Sequence, residues 1–420
     1  MDIELSLKNM KGTAAAIASK SDAHRLLIAA ALSDSPCRLV LNSTSADIEA
    51  TSACLNNAGA DIKKDGTDII VNPIKNTEKE AVFDCGESGS TIRFLIPVAS
   101  ALGIKSIFTG SGRLPERPQT PILKALSENG ASVSPDGEFP IKLDGKLRAG
   151  VFTLPGNVSS QFVTGLIFAL PLLESDSEIR LIPPVESKPY INMTVATVRK
   201  FGIEIEEKGN SYYVKGNQKY ISPKEIKVDG DWSNGAFLAV CGALGDITVN
   251  GLFPDSLQGD KAIADIIKKM GASVTQTGDS ISVKADKLHG IEVDASDIPD
   301  LVPVISALAV FAEGTTTIKN AQRLRIKESD RLKTVTQLIK TAGGDITELP
   351  DGLVIKGGKK LKDSITVDSF NDHRIVMAAA VLSYGSVVTV TNAQAINKSY
   401  PGFISDITKL GGVCNVINDR

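Results

Sequence analysis

The sequence has little of what marks several large classes of protein. Its 420 residues include three histidines and one tryptophan, and aromatic residues make up 5% of the chain. With a net charge of −3 and so few aromatic side chains, the chain offers no basic, base-stacking surface, and we expect no nucleic-acid partner. His24, His289 and His373 stand alone in sequence, and no three ligands have metal spacing, so we expect no metal.

Cysteines and long apolar runs are equally scarce. The five cysteines lie without paired spacing in or beside apolar segments, where a free thiol behaves as a small hydrophobic side chain. The longest nearly apolar run, Leu301 to Ala312, falls far short of the roughly 20 residues of a membrane helix. Met1 to Glu4 lacks the basic and apolar pattern of a secretion signal. We therefore expect a cytoplasmic protein that contacts no membrane.

What the sequence does contain is a sixfold repeat. At intervals of roughly 70 residues, a length that suits a small α/β unit, a polar head runs into small apolar residues. Ser, Asp and Asn at such positions accept hydrogen bonds from the free N–H groups of a helix start, so each run is predicted to be a buried helix. The heads begin at Lys20-Ser21, Glu87 to Ser90, Ser159 to Gln161, Asp231 to Asn234, Asp297 to Asp300 and Asn371 to Arg374.

A second signature repeats in step with the first. Each copy has a helix tail, a glycine suited to the left-handed conformation that closes a helix, and a short alternating strand. Chance recurrence is the alternative, and the regular spacing argues against it. We predict an α/β fold in which each unit has one buried and one amphipathic helix. The copies span Leu55 to Lys64 around Gly59, Leu126 to Pro135 around Gly130, Val198 to Glu207 around Gly202, Ile267 to Gln276 around Gly271, Ile339 to Glu348 around Gly343, and Ile407 to Val416 around Gly411.

The length of the chain predicts two domains. A chain of 420 residues is too long for one ordinary core, and three repeats per domain fit two cores. Because residues 1–18 precede the first head, we expect them to join residues 229–420 in one discontinuous domain, with residues 19–228 as an inserted domain. The crossings near 18–20 and 228–231 carry small and polar residues that suit a hinge. Gly230 as a simple turn glycine is the alternative.

Cations lie in or beside several of the heads. Lys20, Arg25, Arg93 and Arg374 stand where a helix start already attracts anions through its partial positive charge and free N–H groups. The loop Gly86 to Arg93 lacks the Gly-Lys-Ser/Thr pattern of a nucleotide-binding loop. The sequence therefore points to an anionic ligand other than a nucleotide.

The densest charged segment runs from Arg323 to Arg331. Such a run is most often a solvated helix face. Here it follows the strand-like Thr315 to Ile318, where an α/β unit presents loops to a ligand, and Glu328 is flanked by Lys327 and Arg331. Guanidinium groups bind phosphate and carboxylate, and a carboxylate held ionised beside them can act as a base. The segment thus combines anion-binding groups with a proton carrier.

Taken in order, these motifs resemble those of the 5-enolpyruvylshikimate-3-phosphate (EPSP) synthase family over essentially the whole chain. The resemblance implies two similar domains that close over the substrates, each of three βαβαββ-like repeats around buried parallel helices, the enolpyruvyl transferase fold. It rests on Lys20-Ser21 with Arg25, Gly89-Ser90 with Arg93, Glu116-Arg117-Pro118, Ser159-Ser160-Gln161, Ser187-Lys188-Pro189-Tyr190, Ile298-Pro299-Asp300, Arg325 to Arg331, Asn371-Asp372-His373-Arg374 and Lys398-Ser399-Tyr400-Pro401.

The resemblance implies a reaction without cofactor and a set of binding residues. The family transfers the enolpyruvyl group of phosphoenolpyruvate to the 5-hydroxyl of shikimate 3-phosphate and releases phosphate. The implied ligands of shikimate 3-phosphate are Lys20, Ser21, Arg25, Ser159, Ser160, Gln161, Ser187, Tyr190, Asp300 and Lys327. Those of phosphoenolpyruvate are Lys20, Gly89, Arg117, Gln161, Arg331, Arg374 and Lys398.

The same resemblance implies the catalytic groups. Asp300 is the candidate base for the 5-hydroxyl, and Glu328 and Lys20 are candidate proton carriers in roles that exchange between addition and elimination. Gly89 leaves room where a side chain would crowd the pocket, so we expect inhibition by glyphosate, and we expect a monomer. Glu87 and Arg323 depart from the commonest family pattern, and we assign them no role.

Two other functions stay open on the sequence. The enolpyruvyl transferase that acts on UDP-N-acetylglucosamine shares the fold, but that family carries Lys-Asn at the first head and a reactive cysteine in its mobile loop. This chain has Lys20-Ser21, and Ser111 to Thr120 contain no cysteine. A non-catalytic binder of phosphorylated metabolites would need the basic heads but not the pair Asp300 and Glu328.

Overall fold

The computed structural model describes residues 1–77, 80–134 and 138–418. The chain forms two compact units. One, here called the discontinuous unit, consists of Met1–Ser19 with Asp229–Arg420, and the other, the inserted unit, consists of Lys20–Val228. The copy of the helix-glycine-strand signature at Leu126 to Pro135 ends outside the described residues, because Pro135 is not among them.

Helices and strands alternate along the whole chain. The α-helices of the described residues are α1 (Lys20–Ala31), α2 (Ala46–Asn57), α3 (Gly89–Leu102), α4 (Thr120–Glu128), α5 (Ser160–Ala169), α6 (Lys188–Lys200), α7 (Trp232–Ala243), α8 (Ile263–Lys269), α9 (Val302–Ala309), α10 (Arg331–Thr341), α11 (His373–Leu382) and α12 (Phe403–Lys409). The strands are β1 (Asp2–Ser6), β2 (Lys11–Ala15), β3 (Cys37–Val40), β4 (Asp61–Asp65), β5 (Asp68–Asn72), β6 (Glu80–Asp84), β7 (Lys105–Thr109), β8 (Ser132–Val133), β9 (Ile141–Asp144), β10 (Val151–Pro155), β11 (Ser177–Ile182), β12 (Ile205–Lys208), β13 (Ser211–Val214), β14 (Glu225–Lys227), β15 (Asp246–Asn250), β16 (Ser273–Thr277), β17 (Ser280–Lys284), β18 (Glu292–Asp294), β19 (Thr315–Lys319), β20 (Asp345–Leu349), β21 (Gly352–Lys356), β22 (Ser364–Asp368), β23 (Val387–Thr391) and β24 (Val413–Asn418).

These strands form six four-stranded sheets with one shared topology. Each sheet has a parallel pair and then two strands that continue it antiparallel, as in the order β6-β7-β9-β8. The other orders are β10-β11-β13-β12, β14-β3-β5-β4, β2-β15-β17-β16, β18-β19-β21-β20 and β22-β23-β1-β24. Each repeat consists of a strand, a buried helix, a strand, an amphipathic helix and an antiparallel strand pair, and in three repeats one of these strands comes from a distant part of the chain. The predicted α/β class with six βαβαββ-like repeats is confirmed.

Chain ends and crossings complete three of these sheets. Strand β1 lies between β23 and β24, so the N-terminus supplies the hairpin partner that the last repeat lacks. Strand β2, just before the first crossing, pairs parallel with β15 and is the first strand of the repeat that contains α7. Strand β14, just before the second crossing, pairs parallel with β3 and is the first strand of the repeat that contains α1. The crossings themselves lie side by side, with a bridge between Ala18 and Gly230. A hinge at this point remains a prediction.

The buried helices form because their sequences are apolar on every side. All residues of α11 are buried, and α7 and α9 are buried almost throughout. In the inserted unit α3 packs against α5 so closely that a Cβ at Gly165 would overlap the backbone carbonyl oxygen of Arg93. Small residues therefore let the helices approach, which is why the repeats are rich in Ala, Gly and Ser.

All six predicted turn glycines have the left-handed backbone that the sequence signature requires. Their φ values lie between 80° at Gly202 and 110° at Gly271. At Gly271 a side chain would in addition overlap the carbonyl oxygen of Lys287. The helix-glycine-strand signature is confirmed in the described part of every copy, since a helix ends just before each glycine and a strand begins just after it.

Four of the six heads cap their helix through a side chain. Ser88, Ser159, Asp231 and Asp372 accept from backbone N–H groups at the starts of α3, α5, α7 and α11. The prediction is wrong for the fifth head, because α9 begins through a short 3₁₀ turn, Pro299–Leu301, without a side-chain cap. None of the helices in the described residues is long and apolar enough to cross a membrane.

Candidate functional site

In the inserted unit, Arg93 joins the starts of α3 and α5. Its guanidinium donates to Gln161 Oε1 at 2.8 Å, to Ser159 Oγ at 3.4 Å and to the Pro118 carbonyl at 3.1 Å. It also lies 5.1 Å from the centre of the Phe162 ring. Gln161 in turn donates to Ser90 Oγ at 2.9 Å. Arg93 is buried, so this head arginine fixes the predicted ligands Ser159 and Gln161.

A second buried arginine, Arg25, brings together the predicted ligands at α1 and α6. It donates to the carbonyl oxygens of Ser21 and Tyr190 at 2.5 and 2.9 Å and to Thr194 Oγ1 at 2.9 Å. Burial lowers the pKa of Arg25 to about 10, which leaves it charged at neutral pH. Arg25 thus places Ser21 and Tyr190 next to a positive charge.

The N-terminus of α3 is covered by Arg117. A Cβ at Gly89 would lie 2.7 Å from the carbon and both terminal nitrogens of the Arg117 guanidinium. No side chain larger than hydrogen fits there while Arg117 keeps this position. The structure therefore places the predicted phosphoenolpyruvate ligands Gly89 and Arg117 in contact.

Lys20 and Ser187 occupy two further positions in the same unit. Lys20 Nζ forms a 2.8 Å ion pair with Asp47 in the first turn of α2. Ser187 precedes α6 with a φ of 54°, a left-handed conformation that is uncommon for serine and occurs often at binding sites. Asp47 had no role in the sequence interpretation, because its partner lies 27 positions away.

A chain of hydroxyl groups runs beneath the start of α3. His24 Nδ1 lies 2.7 Å from Thr51 Oγ1, which lies 2.6 Å from Thr91 Oγ1, and Thr91 donates to Ser88 Oγ at 2.7 Å. Burial, with Lys20 and Arg25 nearby, holds the pKa of His24 well below its usual range. His24 is therefore a neutral member of the core that ties α1, α2 and α3 together.

In the discontinuous unit, Arg331 lies among three carboxylates. It donates to Asp300 at 2.6 Å, to Glu328 at 2.8 Å and to Asp372 at 2.8 Å, and its side chain is 1% exposed. Burial opposes the charge, but the three carboxylates outweigh it and raise the pKa of Arg331. The cap residue Asp372 belongs to this cluster as well, because it also accepts from Ser329 Oγ at 2.9 Å.

Asp300 is the point at which the cations of this unit converge. Besides Arg331 it faces Lys327 Nζ at 3.5 Å and Arg374 Nη2 at 3.4 Å. Burial acts to raise the pKa of Asp300, yet Arg374, Lys327 and Arg331 together hold it well below its usual range. Burial also lowers the pKa of Lys327 to about 8. Asp300 is therefore an ionised acceptor in this arrangement.

Arg374 and Lys398 have partners of a different kind. Arg374 Nη2 donates to Ser233 Oγ at 2.6 Å, and Nη1 lies 3.5 Å from the Ser233 carbonyl oxygen. Lys398 Nζ donates to the Asn371 carbonyl oxygen at 2.6 Å. Asn371 and Phe370 both have left-handed φ values, 53° and 52°, in the turn before α11. A strained turn thus aims a carbonyl at Lys398.

The structure adds two sets of contacts that the sequence interpretation does not include. In the fourth head, Ser233 accepts from Arg374 and Asn234 bonds to Ser399. Asp372, to which the sequence assigns no role beyond the motif, is the carboxylate that anchors Arg331. The capping pattern was the available signal for Asp372, whereas its second contact depends on residues 41 positions away.

Each unit therefore presents buried cations around a small number of carboxylates and helix starts. Such a set can bind carboxylate and phosphate groups and can hold an ionised carboxylate ready to accept a proton. In the part of the chain that the structure describes, no three His, Cys, Asp or Glu side chains are placed to hold a metal ion.

Comparison with known proteins agrees with this chemistry. The family model of EPSP synthase (3-phosphoshikimate 1-carboxyvinyltransferase) matches residues 6–407. The chain is 44% identical to the 3-phosphoshikimate 1-carboxyvinyltransferase of Clostridium novyi over 94% of each chain, and 45% identical to that of Clostridium acetobutylicum over 96% of each.

Solved structures share the fold. An EPSP synthase from Acinetobacter baumannii superposes with a TM-score of 0.83 at 23% identity, over 99% of this chain and 100% of that one. The enolpyruvyl transferase NikO from Streptomyces tendae gives 0.79 at 16% identity, over 99% and 98%. With a family match over nearly its whole length, the chain belongs to the EPSP synthase family of transferases.

Proposed function

We propose that this protein transfers the enolpyruvyl group of phosphoenolpyruvate to the 5-hydroxyl of shikimate 3-phosphate and releases phosphate. Family membership supports the reaction. The observation that carries it is the cluster at Asp300, where two carboxylates, Asp300 and Glu328, share Arg331 and lie beside further cations. A protein that only binds anions does not need carboxylates beside its cations, whereas an enzyme that transfers protons does need them.

Shikimate 3-phosphate is bound mainly by the helix starts of the inserted unit. The proposed ligands are Lys20, Ser21, Arg25, Ser159, Ser160, Gln161, Ser187, Tyr190, Asp300 and Lys327. The contacts of Arg25 and Arg93 support this set, because they hold hydroxyl and amide groups beside buried positive charge. Hydroxyl groups and backbone N–H groups near a cation suit a phosphate ester.

Phosphoenolpyruvate is bound mainly by cations. The proposed ligands are Lys20, Gly89, Arg117, Gln161, Arg331, Arg374 and Lys398. Two substrates with several negative charges repel each other, so an array of cations must neutralise them before they reach reacting geometry. Arg117, Arg331, Arg374 and Lys398 also stabilise the charge that develops on departing phosphate.

Asp300 accepts the proton of the 5-hydroxyl, and Glu328 and Lys20 carry protons to and from the methylene carbon. The three cations that lower the pKa of Asp300 are Arg374, Lys327 and Arg331, and each of them is itself a proposed substrate ligand. When a substrate carboxylate takes up part of the charge of Arg331 and Arg374, the pKa of Asp300 rises toward its ordinary value. Substrate binding thus makes Asp300 a stronger base at the moment when one is needed.

The same geometry supports inhibition by glyphosate, a small molecule with carboxylate and phosphonate groups. It would bind at the Arg117 guanidinium beside Gly89, where the glycine adds no side chain to the crowded start of α3. We also propose that the protein is a monomer and that it works in the cytoplasm, where its scattered cysteines stay reduced.

Phosphate release from shikimate 3-phosphate plus phosphoenolpyruvate tests the reaction. Asp300→Asn and Glu328→Gln should each lower kcat by roughly 10²- to 10⁴-fold, a far larger factor than the change in the dissociation constant of shikimate 3-phosphate. Glu348→Gln is the matched control, since Glu348 also pairs with an arginine, Arg325, but outside the proposed site. Turnover only with UDP-N-acetylglucosamine, or binding without turnover by folded protein, would show that the proposal is wrong.

A further inference from the structure

Among the helix starts that the structure shows to be capped by a side chain, that of α7 is the one to which the proposed reaction assigns no residue. It carries Ser233, which contacts the proposed phosphoenolpyruvate ligand Arg374, and Asn234, which contacts Ser399, the residue after the proposed ligand Lys398. Ser233 Oγ accepts from Arg374 Nη2 at 2.6 Å. Asn234 Nδ2 donates to Ser399 Oγ at 2.9 Å, and Ser399 Oγ lies 3.3 Å from Asn234 Oδ1. Ser399 directly follows Lys398, so one helix start contacts Arg374 itself and the neighbour of Lys398.

What distinguishes Arg374 from Arg331 is the charge of its partners. Arg331 has three carboxylates within 2.8 Å, so an incoming anion must compete with them. Arg374 has a neutral hydroxyl as its nearest partner, and its carboxylate contact, Asp300, is longer at 3.4 Å. Its Nε is buried and has no hydrogen-bond partner. Arg374 is therefore oriented by a neutral group and keeps most of its positive charge for a ligand.

The helix start that does this is itself fixed. Asp231 accepts from the Asn234 N–H at 2.7 Å, and the Trp232 N–H donates to Gln258 Oε1 at 3.0 Å. Gln258 also donates to the Gly230 carbonyl oxygen at 2.7 Å. Asn234 and Ser399 are 1% and 2% exposed, so their mutual hydrogen bond is protected from water. A helix start that is fixed by these hydrogen bonds holds the side chains that contact it in one orientation.

We propose that Ser233 and Asn234 are positioning residues for phosphoenolpyruvate, Ser233 through Arg374 and Asn234 through the segment of Lys398. This inference rests on the proposed function. Neither residue touches a reacting atom. Ser233 sets the direction of the Arg374 guanidinium without neutralising it, and Asn234 fixes the backbone from which Lys398 extends.

Steady-state kinetics of Ser233→Ala test the proposal, with Ser306→Ala as control. Ser306 lies in α9 of the same unit, is 0% exposed, and its Oγ has no hydrogen-bond partner, so it reports the cost of removing a buried hydroxyl alone. We expect Ser233→Ala to raise KM for phosphoenolpyruvate about tenfold, the size of a lost hydrogen bond to a charged group. KM for shikimate 3-phosphate should change less than twofold, and Ser233→Thr, which keeps the hydroxyl, should restore most of the affinity.

Equal changes in both KM values, or no change in either, would overturn the role of Ser233, as would a Ser233→Thr variant no better than Ser233→Ala. For Asn234, we expect Asn234→Ala and Ser399→Ala to raise KM for phosphoenolpyruvate by similar factors and the double variant to add little. Additive effects would overturn that part. Failure of the unaltered protein to turn over the two substrates would instead reject the proposed function, so the two failures can be told apart.

Discussion

The buried arginines of this protein have different roles, which depend on the groups that they contact. Arg25 and Arg93 donate to hydroxyl, amide and carbonyl oxygens and hold neighbouring polar groups in place. Arg331 is neutralised by carboxylates, and Arg374 is held by a serine. The same side chain therefore serves as support, as part of an ionised cluster or as an available cation, and the partner decides which.

Gly89 yields a prediction at this scale. In Gly89→Ala the new methyl group would meet the far end of Arg117, a flexible side chain, so Arg117 moves while the backbone stays. Alanine also favours the helix over glycine by up to about 1 kcal/mol. We expect unchanged or slightly higher thermal stability and a higher KM for phosphoenolpyruvate. The affinity for glyphosate should fall by a larger factor than the affinity for phosphoenolpyruvate.

Gly402→Ala is a suitable control, because its methyl group would meet nothing closer than 3.7 Å. Kinetics with and without glyphosate, together with thermal unfolding, provide the readout. Unchanged phosphoenolpyruvate affinity in Gly89→Ala would mean that Arg117 is not a ligand.

Lys327 yields a pH prediction. Burial lowers its pKa to about 8, so as pH rises through 8 the free protein loses a positive charge beside Asp300. If Lys327 binds shikimate 3-phosphate, kcat/KM for that substrate should fall above about pH 8. Lys327→Arg keeps the charge to far higher pH and should remove this fall from the pH profile. An identical alkaline limb in both proteins would contradict the assignment.

At the scale of the element, helix starts combine capping with ligand placement. Ser88 caps α3 by accepting from the Thr91 N–H and also ends the hydroxyl chain from His24. Asp372 caps α11 and anchors Arg331. A residue that stabilises its helix thereby also fixes a group of the candidate site, which couples local stability to the geometry of binding.

Capping by Ser88 can be measured against a matched serine. Ser45 occupies the same position before α2 but makes no cap bond through its side chain. Ser88→Ala should therefore lower the free energy of unfolding by about 1 kcal/mol or somewhat more, whereas Ser45→Ala should change it by a few tenths. Urea unfolding of both variants checks this. Equal losses would show that the cap bond contributes nothing beyond burial of the hydroxyl.

At the scale of the whole molecule, the N-terminal strand belongs with residues more than 380 positions away. Strand β1 pairs with β23 and β24, and its inward side chains Ile3 and Leu5 are buried. The discontinuous unit is therefore closed by the first residues of the chain, and the last repeat is incomplete without them.

Leu5→Ala tests that closure. Removing a buried leucine side chain costs about 2 to 5 kcal/mol, and here the loss should fall on the sheet that β1 completes. We expect hydrogen exchange to accelerate in β22, β23 and β24 while β10 and β11 of the inserted unit keep their protection. Glu4→Ala, on the opposite face of the strand, should leave both unchanged. Equal acceleration of hydrogen exchange in the sheets of both units would contradict a loss of stability confined to the sheet that β1 completes.

Much of the fold follows from local pattern. The six glycines and the four capping side chains act on hydrogen bonds within a few residues, so their sequence context is enough to predict them. The residues of the candidate site are instead predicted by the resemblance of short motifs, such as Lys20-Ser21, to those of the EPSP synthase family. The start of α9 escaped this reasoning because a 3₁₀ turn, Pro299–Leu301, replaces the cap there.

The local sequence is enough to predict the period of the repeats, most helix ends and the cations at the helix starts. Which oxygen each cation contacts depends on how the helices pack in three dimensions. Asp372 faces Arg331 and Ser233 faces Arg374 because α10 and α7, which belong to other repeats, both pack against α11. Capping and turn formation depend on neighbours along the chain, whereas the charge left available on an arginine depends on neighbours across the core, which no spacing in the sequence encodes.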